Sequence, residues 1–192
     1  DLGRALAGRT AVVLGYGWVG RGVCRSLRAA NAIVAAHDTD VIRRVAAKLE
    51  GFSLLDELGS LRNVSLVVGA AGARSIGPEL LDRLPDGVFL ASGSSKDIEI
   101  DVAHLRAAAS RIEPVHAHVE AFQLPGRTVY LMNRGYPVNF TGASVPDEVV
   151  EFLLAEALLL LDRVIREPCP PGTFPLPPEL EEIPAQVWLD LR

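Results

Sequence analysis

Ala11-Val12-Val13-Leu14-Gly15-Tyr16-Gly17-Trp18-Val19-Gly20-Arg21-Gly22 is the stretch that decides the fold of this chain. An apolar, β-branched run stops at Gly15. A helical pattern begins at Trp18 and carries Val19, Val23, Leu27 and Ala30 along one side. Between them lies Gly-x-Gly-x-x-Gly. Gly15 permits the tight turn from strand to helix, Gly17 lets backbone approach a pyrophosphate, and Gly20 lets the helix pack closely on the strand. The helix N-terminus adds unpaired N–H groups and partial positive charge.

Glycines cluster in turns for many reasons, so the context of these three matters. A second apolar strand, Ala32 to Ala36, ends near Asp38, at about the 20-residue separation expected of a ribose-binding carboxylate. The order strand, turn, helix, strand, acid points to a dinucleotide. A phosphate-free α/β turn, with Asp38 as a cap, is the competing reading. Arg43 and Arg44 raise the 2′-phosphate of NADP, but the acid at the strand end would repel it, so NAD is expected.

Outward from this unit the pattern repeats. Helix is expected over residues 40–49, a short strand and helical turn over 52–61, and a buried strand over 64–69 that ends in the small residues Ala70-Ala71-Gly72. A short helix at 78–84, a strand at 88–91 and a helix at 101–109 follow. Continuous apolar strands alternating with helices predict a Rossmann-type, doubly wound parallel α/β sheet with helices on both faces. Residues 111–119 and 129–132 read as sheet-edge strands. Residues 1–9 read as a helix end with a turn at Gly8, beginning as if cut from something longer.

Residues 146–166 read as one long helix, with Pro146, Asp147 and Glu148 at its start and Arg163 and Arg166 at its end. Leu158 to Leu161 make it apolar all round. Such a helix is buried in its domain or between subunits. A subunit interface is expected, because the sheet has its own covering helices. Pro168 to Pro184 reads as an extended, unpacked arm. The expected division is therefore 1–145, a cofactor domain, and 146–192, an interface helix and C-terminal arm.

With 49% apolar residues in 192, a substantial core is expected. A net charge of −5 without a basic block argues against nucleic acid. Residues 151–165 are too short and too charged to span a membrane, and no secretory signal is expected. Cys24 and Cys169 have no metal-spaced partners and read as thiols of a reducing cytoplasm. His116-x-His118 would share one strand face, but no further zinc ligands are placed by spacing. His37 abuts Asp38, and His104 reads as a surface helix residue. Glu99 and Asp101, read as sharing a strand face, are unconvincing as an acid/base pair. No residue is assigned to a metal or to catalysis.

These residues resemble the adenosylhomocysteinase (S-adenosyl-L-homocysteine hydrolase) family over nearly the whole chain. Gly15-Tyr16-Gly17-Trp18-Val19-Gly20-Arg21-Gly22 is similar to the family's Gly-Tyr-Gly-Asp-Val-Gly-Lys-Gly. Asp38-Thr39-Asp40 with Glu50-Gly51-Phe52 resembles its Glu-Ile-Asp-Pro helix ending in acid-Gly-aromatic. Asp97-Ile98-Glu99-Ile100-Asp101 resembles its Asp-Val-Glu-Ile-Asp. Gly135 to Phe140 resembles its Gly-Arg-Leu-Val-Asn-Leu, and Gly172 to Glu182 its proline-containing C-terminal arm.

The resemblance implies a bound NAD that transiently oxidises the 3′-hydroxyl of the substrate's ribose, so that homocysteine leaves and water adds. It implies the pyrophosphate at Gly17, Trp18, Val19, Gly20, Arg21 and Gly22, and the adenosine ribose at Asp38. Arg43 stands where the family usually has an asparagine. Ala71 stands in the small-residue turn after the strand at 64–69 and is also assigned to the cofactor. Gly93, Ser94 and Ser95 lie beside the nicotinamide, with Asn139 on its carboxamide.

The departures are specific. The family's Asn-Ile-Gly-His-Phe reads Ser92-Gly93-Ser94-Ser95-Lys96 here, without its histidine. Ser144-Val145-Pro146 stands near where Gly-His-Pro is expected. The C-terminal Lys-Tyr pair has no counterpart before Arg192. The family's substrate domain, with its catalytic lysine, aspartates and histidine, is expected to lie outside this chain. An adenosine-type substrate would then reach it only through that domain. A diverged regulatory or scaffolding NAD module and an NAD-dependent hydroxy-acid dehydrogenase are the alternatives.

Overall fold

The computed structural model describes residues 5–58, 61–142, 145–168 and 170–191. Cys169 and Ser144 fall outside them, as do residues 1–4 of the expected N-terminal helix end. Ala5 and Leu6 are irregular, and the turn at Gly8 is present with φ +72°.

In chain order the elements are β1 (Thr10–Leu14), α1 (Trp18–Ala29), β2 (Ile33–His37), α2 (Val41–Leu49), β3 (Ser53–Leu54), β4 (Val64–Gly69), α3 (Pro78–Leu81), β5 (Val88–Ser92) and α4 (Val102–Ala108). β6 (Arg111–His116), β7 (Val119–Leu124), β8 (Arg127–Met132), α5 (Asp147–Arg166) and α6 (Pro178–Asp190) complete them. Short 3₁₀ turns lie at Leu55–Leu58, Asn133–Gly135 and Val138–Phe140. Two compact units result, Asp1–Gly142 and Ala143–Arg192.

The first unit holds one sheet in the order β3-β2-β1-β4-β5-β8-β7-β6. Pairing is parallel from β3 through β8 and antiparallel from β8 to β7 and from β7 to β6. The doubly wound expectation therefore holds, but the sheet is mixed. β7 was not expected as a strand. β8, expected at the edge, lies inside the sheet between β5 and β7. The reason is the Pro125-Gly126 turn, with Gly126 at φ +74°, which folds β7 back on β8. β6 takes the edge instead.

Alternation along the strands feeds two cores. Ala11 and Val13 of β1 face α1 and α2 with Cys24, Leu27, Ala36, Ala47 and Phe52. Val12 and Leu14 face the other side with Ile76, Leu81, Leu90, Leu105, Phe122 and Leu131. Beyond α1 the first face carries an apolar hollow of about 370 Å³, lined by Leu6, Leu66, Phe89, Val119 and Met132 among others. The first unit's own helices therefore cover the sheet incompletely.

The second unit corrects the C-terminal reading. Pro178 to Asp190 is helix, not an extended arm. Pro178 occupies the first turn, where its missing N–H costs nothing, and Glu179 and Glu181 favour the helix's positive end. Pro184 lies inside this helix and is buried with Leu180. Among the described residues of the expected arm, Pro168 and residues 170–177 remain irregular. Arg163 of α5 pairs with Glu179 of α6 at 2.7 Å. Among its described residues α5 buries no side chain, and Leu153, Leu154, Leu158 and Leu161 are exposed.

Candidate functional site

Strand register collects the site. Leu14 pairs with both His37 and Gly69, and Gly69 pairs with Ser92. The turns that follow β1, β2, β4 and β5 therefore open along one edge of the sheet. They flank the point between β1 and β4 where the strand order reverses, the position at which open α/β sheets bind ligands.

Gly15 turns the chain at φ +103°, and its N–H donates to His37 O at 2.7 Å. A Cβ there would collide with the Ala70 carbonyl and sit 2.7 Å from Ala71 N. This is the close approach that the small residues after β4 foretell. A Cβ at Gly20 would collide with the Gly15 carbonyl, so the third glycine sets the packing of α1 on β1. Gly17 is different. A Cβ there would meet only Arg43 Nη1, at 3.8 Å, so the space over it is open.

Gly17 is also the N-cap of α1, and no side chain caps that helix. Its first N–H groups face the opening above the glycine turn. Trp18 and Val19 are exposed there. Gly22 lies a turn further on, with open space around it. Arg21 sends its side chain elsewhere. It donates to Glu50 at the end of α2, and its guanidinium lies 5.9 Å from the centre of the Tyr16 ring.

Arg25 also pairs with Glu50, at 2.9 Å, and Arg28 donates to the Glu50 carbonyl at 2.8 Å. Hydrogen bonding from Arg21 holds the Glu50 carboxyl down to about 2, against its ordinary 4.5. Burial first, then Glu50, pushes the Tyr16 phenol up to about 12. Burial likewise pushes the Cys24 thiol up to about 12, an inert buried sulfur rather than a nucleophile. Sequence reasoning gave Tyr16 and Glu50 no individual role. The acid-Gly-aromatic motif was the signal available.

Asp38 sits at the tip of β2, 6% exposed. Tyr16 N–H donates to its Oδ2 at 2.7 Å, and Asp40 N–H to its Oδ1 at 2.9 Å. Arg43 Nη1 lies 3.5 Å from Oδ2. Burial pulls this carboxyl upward, but those two N–H groups, then Arg43, outweigh it and hold it below the ordinary carboxylate value. Asp38 is therefore a fixed anion aimed at the mouth of the glycine turn, with hydrogen-bond capacity to spare.

At the other end, Val19 Cγ1 would lie 3.7 Å from a Cβ at Gly93, whose N–H donates to Gly69 O at 2.8 Å. Val19, Gly69 and Gly93 thus meet. Ser94 N–H reaches Ser92 Oγ at 3.4 Å, and Ser95 and Lys96 are exposed. Ser92 bridges to Pro137, which brings the turn bearing exposed Asn139 alongside this loop.

Glu99 is fully buried beneath the same end. It accepts from Gly72 N–H at 2.7 Å and from the Ser75 hydroxyl. Asp101 caps α4 through His104 N–H and pairs with Arg74 at 3.0 Å. Glu99 and Asp101 were expected on one strand face. They lie instead in the loop after β5, because Ile100 bridges to Ile76 and zips that loop to the one after β4. His116 ends β6, but His118 falls in the hairpin turn, so the two do not share a strand face. His104 meets Asp82 at 3.0 Å. Among the described residues no cluster of three or more His, Cys, Asp or Glu is placed to hold a metal.

An open glycine, an uncapped helix start and a backbone-held carboxylate on one edge fit a dinucleotide: pyrophosphate at the first two, ribose at the third.

The model of the S-adenosyl-L-homocysteine hydrolase NAD-binding domain matches residues 3–145. The adenosylhomocysteinase of Saccharolobus solfataricus is 32% identical over 164 residues, 84% of this chain and 39% of that protein. The S-inosyl-L-homocysteine hydrolase of Methanothermobacter thermautotrophicus is 28% identical over 190 residues, 96% of this chain and 46% of that protein. The A chain of Bacillus subtilis dipicolinate synthase superposes with a TM-score of 0.50 at 16% identity, over 55% of this chain and 36% of that one, a likeness of fold alone. The chain spans less than half the length of these curated relatives.

Proposed function

This chain belongs to the family of the S-adenosyl-L-homocysteine hydrolase NAD-binding domain, and from that premise we propose that it is the cofactor-holding part of an adenosylhomocysteinase-like hydrolase. The substrate class is an S-nucleosyl-homocysteine thioether, with S-adenosyl-L-homocysteine first. The observation that carries the reading is Asp38, held by two backbone N–H groups at the strand tip facing the uncapped start of α1.

NAD bound here supplies a hydride acceptor for the ribose 3′ carbon of the substrate, which makes reversible release of homocysteine from adenosine possible. The chain's own residues bind and orient. Asp38 accepts from ribose hydroxyls. Gly17 and the first N–H groups of α1 take the pyrophosphate. Gly93, Ser94 and Ser95 wall the nicotinamide end, and Asn139 bonds the carboxamide. No residue of this chain is given the acid/base work.

The test is calorimetry with NAD and NADP, beside an assay for adenosine released from S-adenosyl-L-homocysteine. NAD binding without turnover by this chain is the expected result, and turnover by the chain alone would refute this division of labour. Ser92 to Lys96, standing where the family has a histidine loop, favours one second reading: a diverged NAD-binding module with a regulatory or scaffolding role. NAD binding that no substrate domain of the family converts into hydrolysis would favour it.

We divide the chain at 145/146. The exposed leucines of α5 support contact between copies through residues 146–166, and a monomer in sedimentation at micromolar concentration would exclude it. A cytoplasmic place in one-carbon metabolism accords with the family. Among the described residues no helix is long and apolar enough to cross a membrane. The net charge of −5 speaks for small-molecule rather than nucleic-acid partners.

A further inference from the structure

Two arginines follow one another on α2, and their surroundings separate them. Arg44 is committed to Asp56 at 2.8 Å. Arg43 faces the cofactor edge. Its Nη1 lies 3.5 Å from Asp38 Oδ2 and 3.8 Å from the position a Cβ would take on Gly17, the open glycine. Its Nε lies 3.7 Å from Asp40 Oδ2. These separations are long for hydrogen bonds, so the two carboxylates hold the guanidinium by charge and leave its planar set of donors largely unspent.

The side chain is 54% exposed, so the donors are within reach of a ligand. Asp40 cannot withdraw it, because Asp40 is tied to α2 as its N-cap through Ile42 N–H at 2.8 Å. A guanidinium presented beside a ribose-binding position is the group that recognises a phosphate on that ribose, by bidentate, charge-assisted bonding.

We infer that Arg43 is a built-in 2′-phosphate ligand, and that Asp38 alone sets this site for NAD against NADP. The inference rests on the NAD reading above. Asp38 occupies the place where the 2′ substituent must go. It accepts from a hydroxyl and repels a phosphate dianion, while Arg43, whose Nη1 stands 3.5 Å from Asp38 Oδ2, attracts that same dianion. Specificity here is a balance between two neighbouring side chains, and removing the repulsive one exposes the attractive one.

The experiment is calorimetric titration of the full chain with NAD and with NADP. It uses the wild type, Asp38→Ser, Arg43→Ala and the double variant, with circular dichroism of each. Wild type is expected to prefer NAD by about a hundredfold or more. Asp38→Ser is expected to gain at least about tenfold in NADP affinity and to prefer NADP, and adding Arg43→Ala to cancel the gain. Asp38→Asn, which keeps an oxygen for Tyr16 N–H, serves should the serine variant unfold.

In the wild-type background, where folding is not in question, Arg43→Ala is expected to weaken NADP by about tenfold more than it weakens NAD. No NADP gain in a folded Asp38 variant, a gain that survives loss of Arg43, or equal losses for the two cofactors in Arg43→Ala would each overturn the inference. Those results would leave NAD binding by wild type standing. Wild type that binds neither cofactor would overturn the NAD reading, and the inference with it.

Discussion

At the Asp38 end of the sheet edge, one carboxylate is held by Tyr16 N–H, Asp40 N–H and Arg43, and the neighbouring Glu50 ties Arg21, Arg25 and Arg28 of α1 to the end of α2. At the Ser94 end, small side chains line the edge, Ser95 and Asn139 are exposed, and one contact of 3.4 Å joins Ser94 to Ser92. The first end is prepaid in fixed charge and backbone geometry. The second is held from beneath, by buried Glu99, and left open on top. A dinucleotide gripped at one end and loosely walled at the other fits a division of labour. On the proposed function, affinity and cofactor choice would reside at the adenosine end, and the reacting end would leave room for a substrate. One departure from the family's pattern, Ser92 to Lys96, lies at that second end, and another, Arg43, lies at the first.

The comparison breaks most visibly at the glycines. Gly15→Ala forces a side chain into φ +103° and against the Ala70 backbone, and should cost more than about 3 kcal/mol in denaturant unfolding. Gly93→Ala meets its nearest atoms only at 3.5–3.7 Å and should stay within about 0.5 kcal/mol. Similar losses at both would erase the distinction.

Glu99→Ala leaves Gly72 N–H and the Ser75 hydroxyl without their buried acceptor and should cost about 3 kcal/mol. A neutral result there would mean the open end is not anchored from below. For NAD affinity, Asp38→Ala should lose about a hundredfold, and Asn139→Ala no more than about tenfold. Calorimetry giving the reverse order would move the binding energy to the nicotinamide end.

The smallest effect concerns pH. Glu50 is held at about 2 in the folded chain against an ordinary 4.5. Its stabilising share is therefore complete above the unfolded value and is lost as pH falls from about 4.5 toward 2. Thermal unfolding of Glu50→Gln should show a shallower fall across that window than the wild type, and parallel curves would remove the clamp from the account.

Much of this is legible in the sequence. β1, β2, β4 and β5 are largely buried, so they stand out as mainly apolar runs bounded by glycine or acid, and the glycine turn states its own steric demands. Val119-Glu120-Ala121-Phe122-Gln123-Leu124 was missed as a strand because Glu120 and Gln123 interrupt the run. Glu120 lies on one face and Gln123 on the other, and it is pairing with β8 and β6 that makes the segment a strand. α6 was missed because prolines read as breakers. Pro178 begins a helix instead, and Pro184 is tolerated where Leu180 packs. The Glu50 clamp and the Glu99 anchor join residues more than twenty positions apart, and only the folded sheet reveals such pairs.

Strands leave the ribosome in one order and take their places in another. β8 emerges last yet is inserted between β5 and β7. Until Met132 has been made, the Val88-to-Ser92 strand presents a bare edge of N–H and C=O groups, while β6 and β7 have only each other to pair with. The nascent chain must therefore carry an apolar, unpaired edge through the synthesis of residues 93–132. Closing the sheet waits on a long-range insertion rather than on local zipping. During synthesis the vulnerable stretch is Val88-Phe89-Leu90-Ala91, two strands along the sheet from the glycine turn that announces the fold.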